Sequence, residues 1–416
     1  MQLVGSVFTC EVPDDWREVR QPGCVIAAAP RAEAGFTANV VLRESCIQQR
    51  PDALASVSQA TLRGVRGTEA GTTVFHVEAL THLGAEHRRL WMLTPVAPEA
   101  AQGHTLSLLT IQDLVVVQGF VAELTLTMLF AEWRLHHPYQ AILDTLHPMP
   151  VAEHVTPPTT ADVPPAVLDQ WATARDGAPR EDLSVVQPPP LVLSAAPFTL
   201  GGEAADAFVT SAQRRSFAPF TGQARQDLLA TGLVAEDGLL TSAGFWYADH
   251  VLSGEGWTIT VVGSTSRKFQ FWVTDSSTLF VAPHPEQPEQ RLLGYCHSND
   301  LFRILLGWVH ATPAWPMNVT MTLTRAELET KVERDVTPPG HHDPDTTEFL
   351  RQPWRYLSLT ASDGEAHLNW IHTPMRGQAL NWATPTPGAP LPIRQDPDQP
   401  FWLRLTATIA EGGHPR

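Results

Sequence analysis

The feature that most constrains the fold of this chain is a proline-rich region that divides it in two. Between Pro148 and Pro197 lie PMPVAEHVTPPTTADVPP and QPPPLVLSAAP, separated by the helical pattern AVLDQWATAR. Proline has no N–H to donate, so such stretches are unsuited to the interior of helices and sheets and favour extended polyproline II conformations. A chain of 416 residues also exceeds what a single core supports. We therefore predict two folded units, residues 1–149 and 198–416, joined by a linker over residues 150–197.

Residues 1–149 show the polar and apolar alternation that is typical of β-strands. One segment, RPDALASVSQATLRGV, has helical spacing instead, with Asp52 near its start as a cap and Gly64 near its end. A second helix, HPYQAILDTLHPM, is predicted after the last strand. The predicted fold class is α+β, an antiparallel sheet of about six strands with helices packed on it.

Three stretches of this first part resemble the PsbP/DcrB/LpqN superfamily. They are F-x-x-x-V-P-x-x-W at Phe8, Val12, Pro13 and Trp16, then GFTANVVL at 35–42, and AILDTLHPM at 141–149. The resemblance implies a PsbP-like α/β sandwich that binds a partner and has no catalytic residues. The LpqN group is typical of actinobacteria, and the related EagR chaperones serve type VI secretion effectors. Because the start of this sequence lacks a signal-peptide or lipid-attachment pattern, we expect a cytoplasmic protein.

The second part, residues 198–416, is predicted as a mixed α/β unit in which a helix and strand series partly recurs, giving halves 198–316 and 317–416. It contains the corner LLATGLVAEDGLLTSAGFWYADHV at 228–251, where a threonine is expected to cap the second helix. This alternation loosely resembles the EspG-type chaperones of type VII secretion, which hold substrates in the cytoplasm in two pseudo-symmetric halves. The corner residues that carry the resemblance are Leu229, Gly232, Leu233, Leu239 and Leu240.

Charge and hydropathy exclude two classes of partner. The net charge of −16 repels phosphate backbones, and the basic cluster of Arg214, Arg215 and Arg225 is too small to reverse it, so we predict no nucleic-acid binding despite the winged-helix-like corner. No stretch approaches about 20 uninterrupted apolar residues, so we predict no membrane insertion. The four cysteines lack metal-binding spacing and fit a reducing compartment.

Known catalytic motifs are missing from the sequence, so we predict neither enzyme activity nor a cofactor. GSTSRK at 263–268 predicts a hairpin turn rather than a phosphate loop. In CHSND, a strand would point Cys296 and His297 to opposite faces, which disfavours a thiol nucleophile. The best metal candidate is the GHHDPD loop, for which a solvated loop is the alternative that we prefer. Its possible ligands are His341, His342, Asp343 and Asp345.

Tryptophan is unusually frequent, with 13 residues against four tyrosines. One interpretation is that most of them pack in the core or on sheet faces, and the other is that a subset forms a surface for a protein partner. The candidates for that surface lie in predicted strands, two of them in LNW triplets expected to pair as a hairpin: Trp257, Trp272, Trp370 and Trp382. We therefore predict a non-enzymatic adaptor or chaperone for a secreted protein client of a type VII-like system. The alternatives are a small-molecule or lipid-binding protein that uses the first sheet, and an uncharacterised hydrolase.

Overall fold

A computed structural model of the chain divides into two compact units. The N-terminal unit comprises Met1–Pro190 and Leu306–Trp315, and the C-terminal unit comprises Leu191–Leu305 and Pro316–Arg416. The structure describes residues 1–33, 35–47, 50, 52–66, 71–82, 85–97, 105–130, 139–149, 172–173, 179–188, 191, 198–263, 266–313, 315, 319–340, 343–362, 364, 366–373, 378–381, 390–394, 405–406 and 408–409.

The N-terminal unit is built on a seven-stranded antiparallel sheet with the order β3-β4-β5-β9-β8-β7-β6, beside a three-stranded sheet, β1-β2-β10. Its elements are β1 (Gln2–Val4), β2 (Phe8–Glu11), β3 (Arg17–Gln21), β4 (Cys24–Glu33), β5 (Phe36–Cys46), α1 (Ala53–Arg66), β6 (Thr73–His82), β7 (Ala85–Val96), β8 (Leu106–Val117), β9 (Phe120–Leu129), α2 (Gln140–Leu143), β10 (His147–Pro148), β11 (Ala172–Thr173) and β12 (Pro179–Arg180). The predicted α+β class is confirmed.

Alternation along the strands explains this sheet. In β5, Ala38, Val40 and Leu42 are buried, whereas the residues between them are only partly covered, so one face is turned to the core. On α1, Leu54 and Leu62 join an apolar cluster with residues of β6, β7 and β8. The helix predicted over HPYQAILDTLHPM is corrected: it ends at Leu143, because His147 and Pro148 pair with β2 as a strand.

Part of the predicted linker is packed rather than extended between units. Leu183 and Val186 are buried in the same apolar cluster as α1, and Leu183–Val185 forms a single 3-10 turn. The structure therefore corrects the linker prediction over residues 180–186, which belong to the N-terminal unit. Proline content predicted an open spacer, but the apolar and charged residues between the prolines have partners there.

The C-terminal unit contains one ten-stranded antiparallel sheet with the order β13-β17-β16-β15-β14-β19-β20-β21-β22-β18. Its elements, including a helix that the division splits at Leu305, are β13 (Phe198–Gly201), α3 (Gly202–Gln213), α4 (Gly222–Ala230), α5 (Ser242–Ser253), β14 (Glu255–Val262), β15 (Ser266–Val273), β16 (Ser277–Pro283), β17 (Gln290–His297), α6 (Leu301–Val309), β18 (Thr320–Leu323), α7 (Arg325–Arg334), α8 (Pro344–Arg351), β19 (Arg355–Ala361), β20 (Ala366–His372), β21 (Gln378–Asn381) and β22 (Leu391–Arg394).

The strand order repeats within this sheet. In one half, β13 precedes helices α3 to α5 and a four-strand meander, β14 to β17, whose last strand pairs with β13. In the other half, β18 precedes α7 and α8 and the meander β19 to β22, whose last strand pairs with β18. The halves join through the antiparallel pair of β14 and β19. Each half has its own helix-covered apolar cluster, so the same topology is used twice.

The local hairpin predictions agree with this sheet. Val262 pairs with Ser266 where β14 and β15 meet, and residues 264–265 of GSTSRK between them lie outside the described residues. The first LNW segment pairs with Leu380 and Asn381 through β20 and β21, with Trp370 opposite Leu380, whereas Trp382 lies outside the described residues. Among the helices that the structure describes, none has the length and apolar character needed to cross a membrane.

Candidate functional site

The corner between α4 and α5 is a compact connection whose shape follows from its sequence. After α4 ends, Gly232 adopts a φ of +74°, a conformation that glycine accepts without strain. Before α5 begins, the chain forms one isolated β-bridge, between Val234 and Leu240. Thr241 caps α5 as predicted: its Oγ1 accepts a hydrogen bond from Gly244 N at 3.1 Å and donates one to Gly232 O at 2.7 Å.

Close packing fixes α5 against this corner. A Cβ on Gly244 would lie 2.1 Å from Leu233 O, so only glycine permits this approach. Leu228, Leu233 and Val234 are buried in the helix-covered cluster of the first half. The outward face of α5 is therefore held in one orientation by buried contacts on its inward face.

Large exposed apolar side chains concentrate at this corner. Four of the six such side chains in the described residues fall within residues 229–246. They are Leu229 (38% exposed), Leu239 (43%), Phe245 (50%) and Trp246 (43%), whereas Val19 and Val336 are isolated elsewhere. The Phe217 ring packs edge-on against Phe245 with a centroid distance of 5.4 Å. We call Phe217, Leu229, Leu239, Phe245 and Trp246 the corner surface.

Aromatic contacts hold Trp246 in place at this surface. Its ring lies 5.1 Å from Tyr295 of β17 and 4.2 Å from His250, one turn further along α5. His250 bonds to Trp246 O through Nδ1 and to Ser277 Oγ through Nε2, each at 2.9 Å. Burial, reinforced by Tyr295, raises the pKa of Tyr247 to about 12, so this phenol stays neutral. Trp246 thus presents its outer face from a fixed support.

The tryptophans that the sequence singled out lie elsewhere. Trp257, Trp272 and Trp370 are 0–3% exposed, so in this structure they pack in the interior and do not form a surface. Trp382 lies outside the described residues. Strand alternation indicated that the two faces differ, but it could not show that both faces are covered. The sequence signal for the corner surface is the helical spacing of Phe245, Trp246 and Asp249. This spacing places the two aromatic residues on the same face of α5 as Asp249, which is exposed.

Neither of the chemical candidates forms a reactive site in the described residues. Asp343 caps α8 by accepting a hydrogen bond from Thr346 N at 2.8 Å, while His341, His342 and the side chain of Asp345 lie outside the description. No cluster of metal-ligating side chains occurs in the part of the chain that the structure describes. Burial raises the pKa of Cys296 well above its usual range, which leaves a neutral thiol.

Charges around the corner are mixed. Arg214 and Arg215 are exposed, and Arg225 donates a hydrogen bond to Glu236 O. Glu236 and Asp237 are exposed on the same corner. This arrangement is not the continuous basic surface that tracks a phosphate backbone, and the absence of nucleic-acid binding stays a prediction.

The N-terminal unit contains a cavity of about 500 Å³ beside the ends of β4 and β5. Its wall combines the apolar side chains of Val25, Leu42 and Phe120 with the carboxylate of Glu44. That carboxylate accepts hydrogen bonds from the backbone N–H groups of the turn between β1 and β2, including Phe8 N at 2.7 Å. The volume is within the range of small-molecule sites.

No protein-family model matches this sequence, and no curated protein is significantly similar to it. Solved structures with partial similarity include a Pseudomonas aeruginosa protein of unknown function described as a putative regulator, at 19% identity, covering 34% of this chain and 92% of that one, with a TM-score of 0.26. LpqN of Mycobacterium tuberculosis, described as involved in cell envelope biogenesis, has 16% identity, coverages of 34% and 83%, and a TM-score of 0.27. PsbP of the cyanobacterium Synechocystis has 12% identity, coverages of 34% and 86%, and a TM-score of 0.25. Similarities with TM-scores this low carry no conclusion about function.

Proposed function

We propose that this chain is a non-enzymatic adaptor or chaperone that holds a protein client against the corner surface. The observation that carries the proposal is the concentration of Leu229, Leu239, Phe245 and Trp246 on one corner of a protein whose other large apolar side chains, where described, are nearly all covered. Exposed apolar groups that cluster mark binding surfaces, whereas single ones are ordinary.

The energetics favour a protein partner. Phe and Trp contribute most to interfaces because they bury a large apolar area with few rotatable bonds. At this corner the rings are already oriented, by Gly244 beneath α5 and by the contacts of Trp246 with Tyr295. Binding therefore fixes few additional side-chain conformations, so little conformational entropy is lost. More of the free energy gained by burying apolar surface then contributes to affinity.

A secretion client is the more specific part of the proposal. The resemblance of the corner to EspG-type chaperones implies two pseudo-symmetric halves, and the repeated strand order about β14 and β19 supports that comparison. The LpqN-like motifs imply a second binding unit. On this proposal the protein acts in the cytoplasm and keeps a secreted client soluble before export through a type VII-like system.

The test is site-specific photo-crosslinking in the native host. A photoreactive phenylalanine replaces Phe245 in one strain and Val336, which is 53% exposed but isolated, in a matched strain. We expect position 245 to crosslink a protein that wild-type cells release into the medium, and position 336 not to do so. Identical crosslinking from both positions would contradict the proposal, and a client that stays in the cell would refute its secretion part.

The cavity beside β4 and β5 favours a second candidate, a small-molecule or lipid-binding role for the N-terminal unit. Cys24 lines it and is partly exposed, so Cys24→Trp is designed to fill the space. Native mass spectrometry of the protein purified from its host should show a bound small molecule that Cys24→Trp loses, with Cys24→Ser as the control. An unliganded wild-type protein in every preparation would reject this role.

A further inference from the structure

Residues 180–186 lie across the N-terminal unit as a bound peptide lies in a groove; we call them the strap. Glu181 is completely buried, and Arg88 of β7, only 2% exposed, donates to both of its carboxylate oxygens from Nε, at 3.0 and 3.1 Å. Two residues later Leu183 enters the apolar cluster with Leu54 and Leu62, and Val186 enters the same cluster. A charged anchor and two aliphatic anchors therefore hold one short segment.

The backbone of the strap is recognised as well. The side chain of Gln59, on α1, donates to Asp182 O at 3.2 Å and accepts from Asp182 N at 2.7 Å. A side-chain amide that bonds to both the backbone N–H and the C=O of one residue imitates a β-bridge. It therefore recognises an extended backbone independently of the side chain that the recognised residue carries. Gln59 is itself fully buried, so this polar group has no alternative solvation in the groove.

Trp315 closes the groove beside the anchor. Its indole Nε1 donates to Glu181 O at 3.0 Å. The guanidinium carbon of Arg88 lies 5.6 Å from its ring centroid, and that of Arg180 lies 5.3 Å from it. These are cation–π distances, so the tryptophan contacts both the backbone and the charged groups of the strap region.

The strap has few of its own internal contacts to keep it folded. It forms one 3-10 turn, capped by Asp182 accepting from Ser184 N at 2.9 Å, and its sequence is followed directly by QPPP. Contacts with the groove, and not contacts within the strap, therefore fix the position of the strap. One of these contacts, the ion pair of Glu181 with Arg88, joins residues that are 93 positions apart in sequence. These are the properties of a ligand tethered to its receptor.

We infer that α1, β7 and Trp315 form a peptide-binding groove that the strap occupies in cis, and that the groove accepts a partner segment with the same chemistry. That segment is a buried glutamate followed at positions +2 and +5 by aliphatic residues. A tether supplies its own segment at an effective concentration of about millimolar, so a partner competes only when the strap is released or the partner binds more tightly. This site is independent of the corner surface and of the proposed function.

The first test uses the unaltered chain. In hydrogen exchange at the amides of Asp182 and Val186, we expect opening at a free energy well below that of the β7 and β8 amides, because a tethered ligand can leave while its receptor stays folded. Exchange of strap amides only together with those of β7 and β8 would show that the strap is part of the core, and would overturn the inference.

The second test supplies the strap in trans. A fluorescent peptide of residues 179–188, PREDLSVVQP, is titrated against full-length Leu183→Ser/Val186→Ser protein, in which the strap is released, and against Ser184→Ala protein, whose exposed side chain leaves the strap docked. We expect the released variant to bind at least about tenfold more tightly than the control, and a peptide with Gln at position 181 to lose at least about tenfold in affinity.

Folding of the released variant is checked by near-UV circular dichroism. A folded released variant that binds the peptide no better than the Ser184→Ala protein would overturn the inference. If that variant does not fold, the exchange measurement on the unaltered chain decides the question alone.

Discussion

Trp246 and Trp370 belong to the same unit and carry the same side chain, yet 43% of the first is exposed and the second is fully buried. Trp370 lies in β20, opposite Leu357 of β19, on the sheet face that also contains Trp257 and Ile259. Trp246 lies on the outward face of a helix whose inward face is packed. The role of each tryptophan therefore follows from its secondary-structure element and from the face that it occupies, and not from how frequent tryptophan is in the chain.

The largest expected effect separates these two tryptophans by stability. Trp370→Ala should lower the free energy of unfolding by about 3–5 kcal/mol, because it leaves a cavity in a packed sheet face. Trp246→Ala should cost about 1 kcal/mol or less, since nearly half of its side chain already meets water. Urea denaturation of both variants measures the difference. Equal losses would remove the distinction on which the comparison rests.

That distinction was only partly accessible from the sequence. Alternation correctly predicted an antiparallel sheet in residues 1–149, although the main sheet has seven strands rather than about six, and it predicted the pairing of the segments around Trp370 and Leu380, because period-two burial and short turns are local signals. The Thr241 cap was accessible for the same reason. Whether a strand face is covered depends on segments far away in sequence, so Trp257, Trp272 and Trp370 looked like surface candidates when they are buried.

The strap is a second segment whose long-range contacts could not be predicted from the sequence. Its proline-rich surroundings predicted a spacer. No local pattern in EDLSVV predicts that Glu181 pairs with Arg88 or that the Gln59 side chain forms hydrogen bonds with the backbone of Asp182. Long-range pairs have no signature in a single sequence. The surface residues Phe245 and Trp246 were visible as helix residues, but their exposure depends on how α5 packs.

Charged groups show the same contrast: Asp113 is buried in the N-terminal unit, whereas Asp237 is exposed in the C-terminal unit. Burial by itself would raise the pKa of Asp113, but the hydrogen bonds from Arg89 (2.7 and 2.8 Å) and the nearby imidazole of His87, 3.8 Å away, outweigh burial and hold this pKa below its usual value. A lowered folded-state pKa means that the carboxylate stabilises the fold above the usual pKa of an aspartate, and that this stabilisation is lost as the pH falls through the folded value.

Breaking that pair should therefore have a large, pH-dependent effect. Arg89→Met should cost about 3 kcal/mol at neutral pH, because it leaves Asp113 charged and buried without its partner. The loss should shrink in acid, where Asp113 is protonated. Urea midpoints at pH 7 and pH 3 measure both, with Asp237→Asn as the exposed control, for which no change is expected. A pH-independent loss in Arg89→Met would show that packing, not charge, is what the arginine supplies.

The third prediction concerns binding rather than folding. Replacing both Phe245 and Trp246 with serine should weaken client binding by about 2 kcal/mol or more, because aromatic anchors dominate interface energies. The serine double variant should change the midpoint of thermal unfolding much less than Trp257→Ala does. The binding of the crosslinked client, measured by calorimetry, is compared with that of Val336→Ser, whose side chain is exposed but isolated. Equal weakening by Val336→Ser would mean that the corner surface is not the binding site.

The smallest effect tests whether the corner must be rigid to bind. Thr241 satisfies Gly244 N at the start of α5 and also ties the helix back to Gly232 O, so Thr241→Ala removes a cap and a tether together. We expect a loss of about 1 kcal/mol in stability, the usual cost of an N-cap. Because the same change frees the orientation of Phe245 and Trp246, client affinity should also fall, by less than in the serine double variant. Thr241→Ser keeps the hydroxyl and should restore both quantities. Restored stability without restored affinity would mean that the threonine methyl group, and not the cap, positions the aromatic rings.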